Sequence, residues 1–128
     1  MTNEEVAAQY DAIVSFSELP ARLLKTPVKR YSSGQFLRLA FSVSAHLDTE
    51  IMLVDEVVSV GDPAFQKKCV EKMRSLASEG RTVVFVSHHL NLVSDLCERV
   101  IWIDSGRLID DGPCTEVLSA YRLNSKPD

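Results

Sequence analysis

The hexapeptide IMLVDE, residues 51–56, decides the fold class of this chain. Its first four residues form an unbroken apolar run, which is typical of a parallel β-strand buried on both faces, and two carboxylates follow directly. A second apolar run, TVVFV at residues 82–86, ends just before His88. Ligands of parallel sheets bind beyond the carboxyl ends of the strands, so we expect Asp55, Glu56 and His88 to lie near a ligand.

The segment between these two strands predicts a helix. Asp62 is a good N-cap, and Pro63 is tolerated at the first helical position. Gly80 ends the helix, whose apolar stripe consists of Phe65, Cys69, Met73, Leu76 and Ala77. Strand, helix and strand therefore predict one right-handed crossover unit of a parallel sheet.

The remaining sequence predicts four helices and an antiparallel hairpin. We expect the helices near residues 3–16, with Asn3 as cap, and near 35–47, 90–97 and 115–121. The hairpin joins strands at 99–104 and 107–110 through a Ser105-Gly106 turn. Trp102 is expected to pack in or beside the core. The fold class is α/β.

Composition narrows the classes of function. The chain has 128 residues, 45% of them hydrophobic, and a formal net charge of -4 without a basic run, so we expect one domain and no nucleic-acid partner. No apolar stretch approaches the roughly 20 residues that span a bilayer, and the acidic start MTNEEV is unlike a signal sequence. We therefore expect a cytoplasmic protein. The three cysteines lack CxxC spacing and are expected to be reduced thiols.

Each chemical motif alone has a plain structural alternative. Asp55 and Glu56 suit nucleotide hydrolysis, since one carboxylate can hold Mg²⁺ through water while the other polarises the attacking water, but they also suit a solvated strand end. Ser32-Ser33-Gly34-Gln35 at a helix start can bind an anion or simply cap the helix. We expect Arg38, which lies further along the same helix, to be a solvated residue.

The histidines have similar alternatives. His88 can hydrogen-bond a terminal phosphate. We expect His88 and His89 to point in different directions, as neighbours along a strand do, which disfavours joint metal binding. His89 and His46 are expected at the surface.

Read in order, the motifs resemble successive landmarks of the ABC ATPase family. They are YSSGQ at 31–35, a helix containing Arg38, IMLVDE at 51–56, SVGD at 59–62 and VFVSH at 84–88. GRLIDDG at 106–112 resembles a hairpin near the end of that domain type. The resemblance covers nearly the whole chain from Tyr31 onward.

The resemblance implies a role for each motif residue and implies ATP and Mg²⁺ as cofactors. Ser32, Ser33, Gly34 and Gln35 match the signature motif, which acts on a nucleotide held by a second subunit. Asp55 matches the Walker B aspartate, which holds Mg²⁺, and Glu56 the glutamate that activates water. His88 matches the switch histidine. Ser59 and Asp62 fall in the D-loop, to which the family gives an inter-subunit role.

Smaller features resemble the ATP-binding subunits of bacterial polysaccharide exporters, which move O-antigen, capsule or teichoic-acid chains. They are Val57 directly after Glu56, and the segments DEVVSVGD, AFQKKC and FVSHH. This resemblance implies a membrane subunit as partner, a second ATPase subunit or a homodimer of the full-length form, and a peripheral position at the inner face of the plasma membrane.

The family's glycine-rich loop, GxxxxGK[ST], has no counterpart here, because no Gly-Lys dipeptide occurs in the 128 residues. The resemblance therefore predicts the C-terminal part of a P-loop NTPase fold, with residues 1–47 in a helical subdomain and 48–128 in the catalytic core. We expect the chain alone to hydrolyse ATP poorly or not at all. We also expect apolar strands such as 51–54 to have an uncovered face or edge.

Two other classes of function share parts of this pattern. A non-catalytic interaction module, or a relic fragment, would pair with an intact ATPase subunit through the signature loop. The ATPase head of a chromosome-maintenance protein has similar motifs but requires long coiled-coil flanks and DNA binding, which neither the short predicted helices nor the acidic balance supports.

Overall fold

The structure, a computed structural model, describes residues 2–56 and 62–125. The chain divides into two compact units, Met1–Val84 and Phe85–Asp128. A parallel sheet and an antiparallel hairpin combine with helices, which confirms the predicted α/β class. The predicted boundary near residue 47, between a helical subdomain and a catalytic core, stays a prediction.

The first unit is mostly helical. Its described helices are α1 (Asn3–Ser17), α2 (Ala21–Leu24), a 3₁₀ turn (Val28–Arg30), α3 (Ser33–His46) and α4 (Pro63–Ser78). Strand β1 (Ile51–Asp55) pairs with β2 (Thr82–Val86), which runs across the boundary between the units.

Side-chain caps fix the starts of the three long helices of this unit. Asp62 caps α4, as predicted, by accepting a hydrogen bond from the Ala64 amide at 3.1 Å. The prediction of Asn3 as the first cap is wrong: Thr2 caps α1, because Glu5 three residues later completes a capping box with it. The same reciprocal arrangement starts α3, where Ser32 is the cap.

Aromatic rings form much of the core of the first unit. Phe16 packs against Phe41, Phe65 and His46, with ring centroids 5.5 to 6.0 Å apart. The expectation that His46 is a surface residue is therefore wrong, because its ring packs against Phe16 and its Nδ1 lies 2.6 Å from the Ser42 carbonyl oxygen. The stripe of α4 is buried as predicted, except that Ala77 is exposed.

Strand β1 differs from its prediction. Met52 and Val54 are buried, whereas Ile51 and Leu53 are 60% and 76% exposed. The predicted burial on both faces is therefore wrong. An apolar run shows that a strand is hydrophobic, but it does not show which of its two faces other elements cover. The expectation of an uncovered face is confirmed. Val84 of β2 is also exposed.

The second unit consists of α5 (Leu90–Leu96), β3 (Arg99–Asp104), β4 (Arg107–Pro113) and α6 (Cys114–Asn124), together with the end of β2. The predicted hairpin is confirmed: β3 and β4 pair antiparallel, with Asp104 opposite Arg107. Ser105 and Gly106, at φ 50° and 75°, form the turn, and positive φ at both positions suits a tight hairpin. Val93, Cys114 and Leu118 form the core of this unit.

The state of the cysteines agrees with the expectation of reduced thiols. Cys69, Cys97 and Cys114 are free thiols, and burial raises the pKa of Cys69 to about 12, so this thiol stays protonated at neutral pH. None of the helices in the described part of the chain is long and apolar enough to cross a membrane.

Candidate nucleotide-binding residues

The YSSGQ segment forms a capped helix start. The Ser32 hydroxyl accepts a hydrogen bond from the Gln35 amide at 3.2 Å, and the Gln35 side-chain oxygen accepts one from the Ser32 amide at 3.0 Å. The capping interpretation of Ser32 is thus confirmed, and anion binding by this segment stays a prediction. The Tyr31 hydroxyl donates to the Leu23 carbonyl oxygen, which ties the approach to α3 onto α2.

Ser33 and Gly34 are the first two residues of α3. Amides in the first turn of a helix have no carbonyl partner within the helix, and the helix dipole makes this end favourable for anions. A Cβ placed on Gly34 would meet no atom within 4 Å, so the surroundings of this glycine are open. The helix start therefore has both the polarity and the space to approach a phosphate.

Asp55 and Glu56 stand at the carboxyl end of β1, and both are exposed. Asp55 is the last residue of the strand, and Glu56 has a φ of 45° in the left-handed region. A residue other than glycine rarely adopts this conformation, and it is enriched at functional sites. No local sequence pattern predicts this conformation at Glu56.

The described residues offer single carboxylates for Mg²⁺. Among residues 2–56 and 62–125, no group of three or more His, Cys, Asp or Glu side chains is arranged to hold a metal ion. Magnesium that arrives with a nucleotide needs only one or two carboxylates, because phosphate oxygens and waters complete its octahedron. The exposed Asp55 carboxylate fits this type of site, and the described residues provide no preformed cage.

The two predicted D-loop residues have different outcomes. Ser59 lies outside the described residues. Asp62 is described: one carboxylate oxygen caps α4, and the other lies 3.3 Å from Nη2 of Arg38. The interpretation of Asp62 as a helix cap is confirmed, and its inter-subunit role stays a prediction.

Arg38 was expected to be a solvated helix residue, and this is wrong. Its side chain is only 22% exposed, and it pairs with Glu18 as well as with Asp62. Its guanidinium carbon also lies 4.6 Å from the centre of the Phe65 ring. These partners are 20, 24 and 27 residues away in sequence, so local periodicity could not reveal them.

His88 belongs to the second unit, where it follows β2 and precedes α5. The His88 and His89 ring centroids are 4.3 Å apart with an interplanar angle of 33°. The prediction that they point in different directions is wrong, because the strand ends at Val86 and its alternation does not extend to them. His89 occupies the N-cap position of α5 and is exposed, as predicted.

Trp102 packs as predicted. Its ring makes an edge contact with Tyr121 of α6, with centroids 5.2 Å apart. Within residues 2–56 and 62–125, the contacts between predicted site residues include those of Ser32 with Gln35 and of Arg38 with Asp62.

Comparison with solved structures identifies the fold. The chain superposes on the dimeric ABC transporter cassette MJ0796 with a TM-score of 0.74 at 24% identity, covering 89% of this chain and 49% of that one. It superposes on an ATP-binding subunit of an ABC transporter with a TM-score of 0.83 at 17% identity, covering 98% and 52%. The chain thus has the fold of part of an ABC ATPase cassette.

Curated relatives define the group more narrowly. The chain is 45% identical over 126 residues to the teichoic acids export ATP-binding protein TagH of Levilactobacillus brevis, covering 98% of this chain and 35% of that protein. It is 43% and 38% identical to O-antigen export ATP-binding proteins RfbB of Myxococcus xanthus and Klebsiella pneumoniae, of which it spans 28% and 49%. No family model matches the chain.

The chain is therefore a homologue of part of the ATP-binding proteins of polysaccharide export systems, which confirms the resemblance seen in the motifs. It spans between about a quarter and a half of the length of these three relatives.

Proposed function

We propose that the chain forms part of an ATP-hydrolysing subunit that energises polysaccharide export through an ABC transporter. The observation that carries the proposal is the placement of the motifs: YSSGQ opens α3 and Asp-Glu closes a parallel strand, in a chain with the fold of an ABC cassette. The partners in this proposal are a membrane subunit and a second ATPase subunit, and the place of action is the cytoplasmic face of the membrane.

In this proposal, the start of α3 acts on an ATP held by the second subunit. The amides of Ser33 and Gly34 approach the terminal phosphate, and the positive end of the helix dipole stabilises its charge. The capping box between Ser32 and Gln35 stabilises the helical conformation of the first turn. In this proposal, the polar atoms of both side chains lie beside the same phosphate.

The strand ends act on an ATP held by the glycine-rich loop of the same subunit. Asp55 would hold Mg²⁺, and the ion would supply charge neutralisation for the phosphates. Glu56 polarises the attacking water, and His88 hydrogen-bonds the terminal phosphate. The glycine-rich loop itself is not encoded in these 128 residues, so the chain on its own is expected to turn over little or no ATP.

A grafted protein tests the proposal. The segment of the Levilactobacillus brevis TagH protein that this chain matches is replaced by this chain, and Mg²⁺-dependent ATP hydrolysis is measured. We expect the graft to hydrolyse ATP and Glu56→Gln to reduce kcat by on the order of 10²-fold or more, because the water loses its base. Glu50→Gln, which removes a carboxylate just before the same strand, is the matched control and should leave kcat unchanged.

Folding and activity must be separated in this test. The graft should melt cooperatively and bind ATP as the parent protein does. A folded, ATP-binding graft without hydrolysis, or equal rates for Glu56→Gln and the unsubstituted graft, would contradict the proposed roles.

Ser32 allows its two roles to be distinguished. Aspartate caps helices as well as serine does, so Ser32→Asp should keep the stability of α3, whereas its carboxylate should repel a phosphate. Ser32→Ala should lower stability by about 1 kcal/mol through loss of the cap. If Ser32→Asp retains full ATPase activity in the graft, Ser32 acts only as a cap.

A second candidate function is a non-catalytic module that docks on an intact ATPase subunit. It is favoured by the capped start of α3, where Ser32 and Gln35 hold the first turn of the predicted signature segment in a defined conformation. ATP-dependent capture of the intact TagH protein by the 128-residue chain, abolished by Ser32→Arg, would support it. Equal capture with and without ATP would exclude docking through the signature motif.

A further inference from the structure

Arg38 joins three separate elements of the first unit. Its Nη1 lies 3.4 Å from a Glu18 carboxylate oxygen, just beyond the end of α1, and its Nη2 lies 3.3 Å from Asp62, at the start of α4. Arg38 itself lies in α3, whose first residues are the predicted nucleotide-facing motif. We call the set Glu18, Arg38 and Asp62 the Arg38 bridge.

The position of the guanidinium is constrained from a second direction. The group lies over the Phe65 ring at 4.6 Å, and Phe65 packs edge-on against Phe16 of α1. Stacking on an aromatic ring orients the plane of an arginine, and the remaining 22% exposure leaves it limited freedom. The arginine is therefore held in the direction that places one nitrogen on each carboxylate.

Glu18 has an unusual backbone that suits this contact. It terminates α1 in the left-handed region, at φ 53°, and its second carboxylate oxygen lies 3.3 Å from Nζ of Lys68 in α4. Lys68 also donates to the Phe16 carbonyl oxygen at 2.9 Å. Thus α4 is attached to the end of α1 independently of Arg38.

We propose that Arg38 is a positioning residue that fixes Asp62 at the start of α4 relative to the start of α3, and thereby sets the rate of ATP turnover. This inference rests on the proposed function. Asp62 is suited to this role because one of its oxygens caps α4 while the other meets Arg38, so a movement of the arginine is transmitted to the first turn of α4.

The bridge requires arginine and not only a positive charge. The planar fork presents two nitrogens to two carboxylates at once, whereas a lysine ammonium is a single point charge on a flexible stem. Arg38→Lys should therefore keep the charge of the site and lose the simultaneous contact with Glu18 and Asp62.

The experiment compares Arg38→Lys with Lys68→Gln. In the grafted protein described above, Arg38→Lys should reduce kcat by about tenfold and change KM for MgATP by less than about twofold, since a small misplacement affects the transition state more than binding. Lys68→Gln removes contacts to Glu18 and to the end of α1 but leaves Arg38 with Asp62, so it should lower the unfolding temperature and leave kcat unchanged.

A second measurement uses the 128-residue chain itself. Hydrogen exchange of the Ala64 amide, which Asp62 caps, should be faster in Arg38→Lys than in Lys68→Gln or the unsubstituted chain. An unchanged kcat in an active graft, or unchanged exchange at Ala64, would overturn the inference. An inactive graft with normal folding contradicts the proposed function instead, and the exchange result then decides whether the bridge positions Asp62.

Discussion

Helix α4 and strand β1 belong to the same unit and both have a clear apolar pattern, but they differ in how many of their apolar residues are buried. In α4, Phe65, Cys69, Met73 and Leu76 are all buried. In β1, burial alternates, and the exposed residues include Leu53, which is 76% exposed while Met73 is fully buried. The hairpin of the second unit resembles β1 in this respect, because Ile101, Ile103 and Leu108 are exposed.

The difference follows from the geometry of the two elements. An amphipathic helix has one apolar stripe, which a single layer of neighbouring helices can cover. A strand has two faces, and an apolar strand requires a layer on each of them. In the described residues, the apolar stripe of α4 is therefore covered, whereas the apolar side chains on one face of β1 remain in contact with solvent.

The largest expected effect tests this contrast directly. Met73→Ala should lower the free energy of unfolding by about 2–5 kcal/mol, because it leaves a cavity in a packed core. Leu53→Ala should change it by less than about 0.5 kcal/mol, as other exposed substitutions do. Urea unfolding followed by far-ultraviolet circular dichroism measures both. Equal losses for the two variants would show that Leu53 is buried in solution.

A smaller effect is expected on self-association. Exposed apolar residues on one face of a sheet favour association between molecules, so we expect the 128-residue chain to self-associate. Leu53→Thr should weaken the association by on the order of tenfold, which corresponds to the partial burial of one leucine side chain. Sedimentation velocity over a concentration series measures it.

Leu123→Thr is the matched control for this prediction. Leu123 is also more than two-thirds exposed but lies near the end of α6 and not on a sheet face. It should have no comparable effect. A monodisperse monomer at all concentrations would contradict the expectation of association through the exposed strand face.

The parts of the fold with local signals could be predicted from the sequence. Asp62-Pro63 specified the start of α4 because the cap and the first helical residue are adjacent, and Ser105-Gly106 specified the hairpin turn because both positions require positive φ. The order of the motifs led to the ABC cassette fold, which the solved structures confirm. The individual roles of Asp55, Glu56 and His88 stay predictions.

The parts that depend on tertiary contacts could not be predicted. The environment of Arg38 depends on Glu18 and Asp62, which approach it only when α1, α3 and α4 pack together. The ring contact between His88 and His89 depends on where β2 ends, and helix and strand boundaries are poorly marked in sequence. The surface expectation for His46 failed for the same reason, since its Phe16 partner lies 30 residues earlier.

The smallest expected effect concerns an exposed ion pair that stabilises the hairpin. Arg99 donates two hydrogen bonds to Asp111 across the strands, at 2.8 and 2.7 Å, and these bonds hold the pKa of Asp111 below its usual value. A lowered pKa in the folded state means that the pair contributes stability above the ordinary carboxyl pKa and loses it as the pH falls through the lowered value. Asp111→Asn and Arg99→Gln should each lower the unfolding temperature slightly at neutral pH, and the double variant no further. In acid, the unfolding temperatures of all three variants should converge with that of the unsubstituted chain. A difference in unfolding temperature that is independent of pH would show that the pair acts through packing instead of charge.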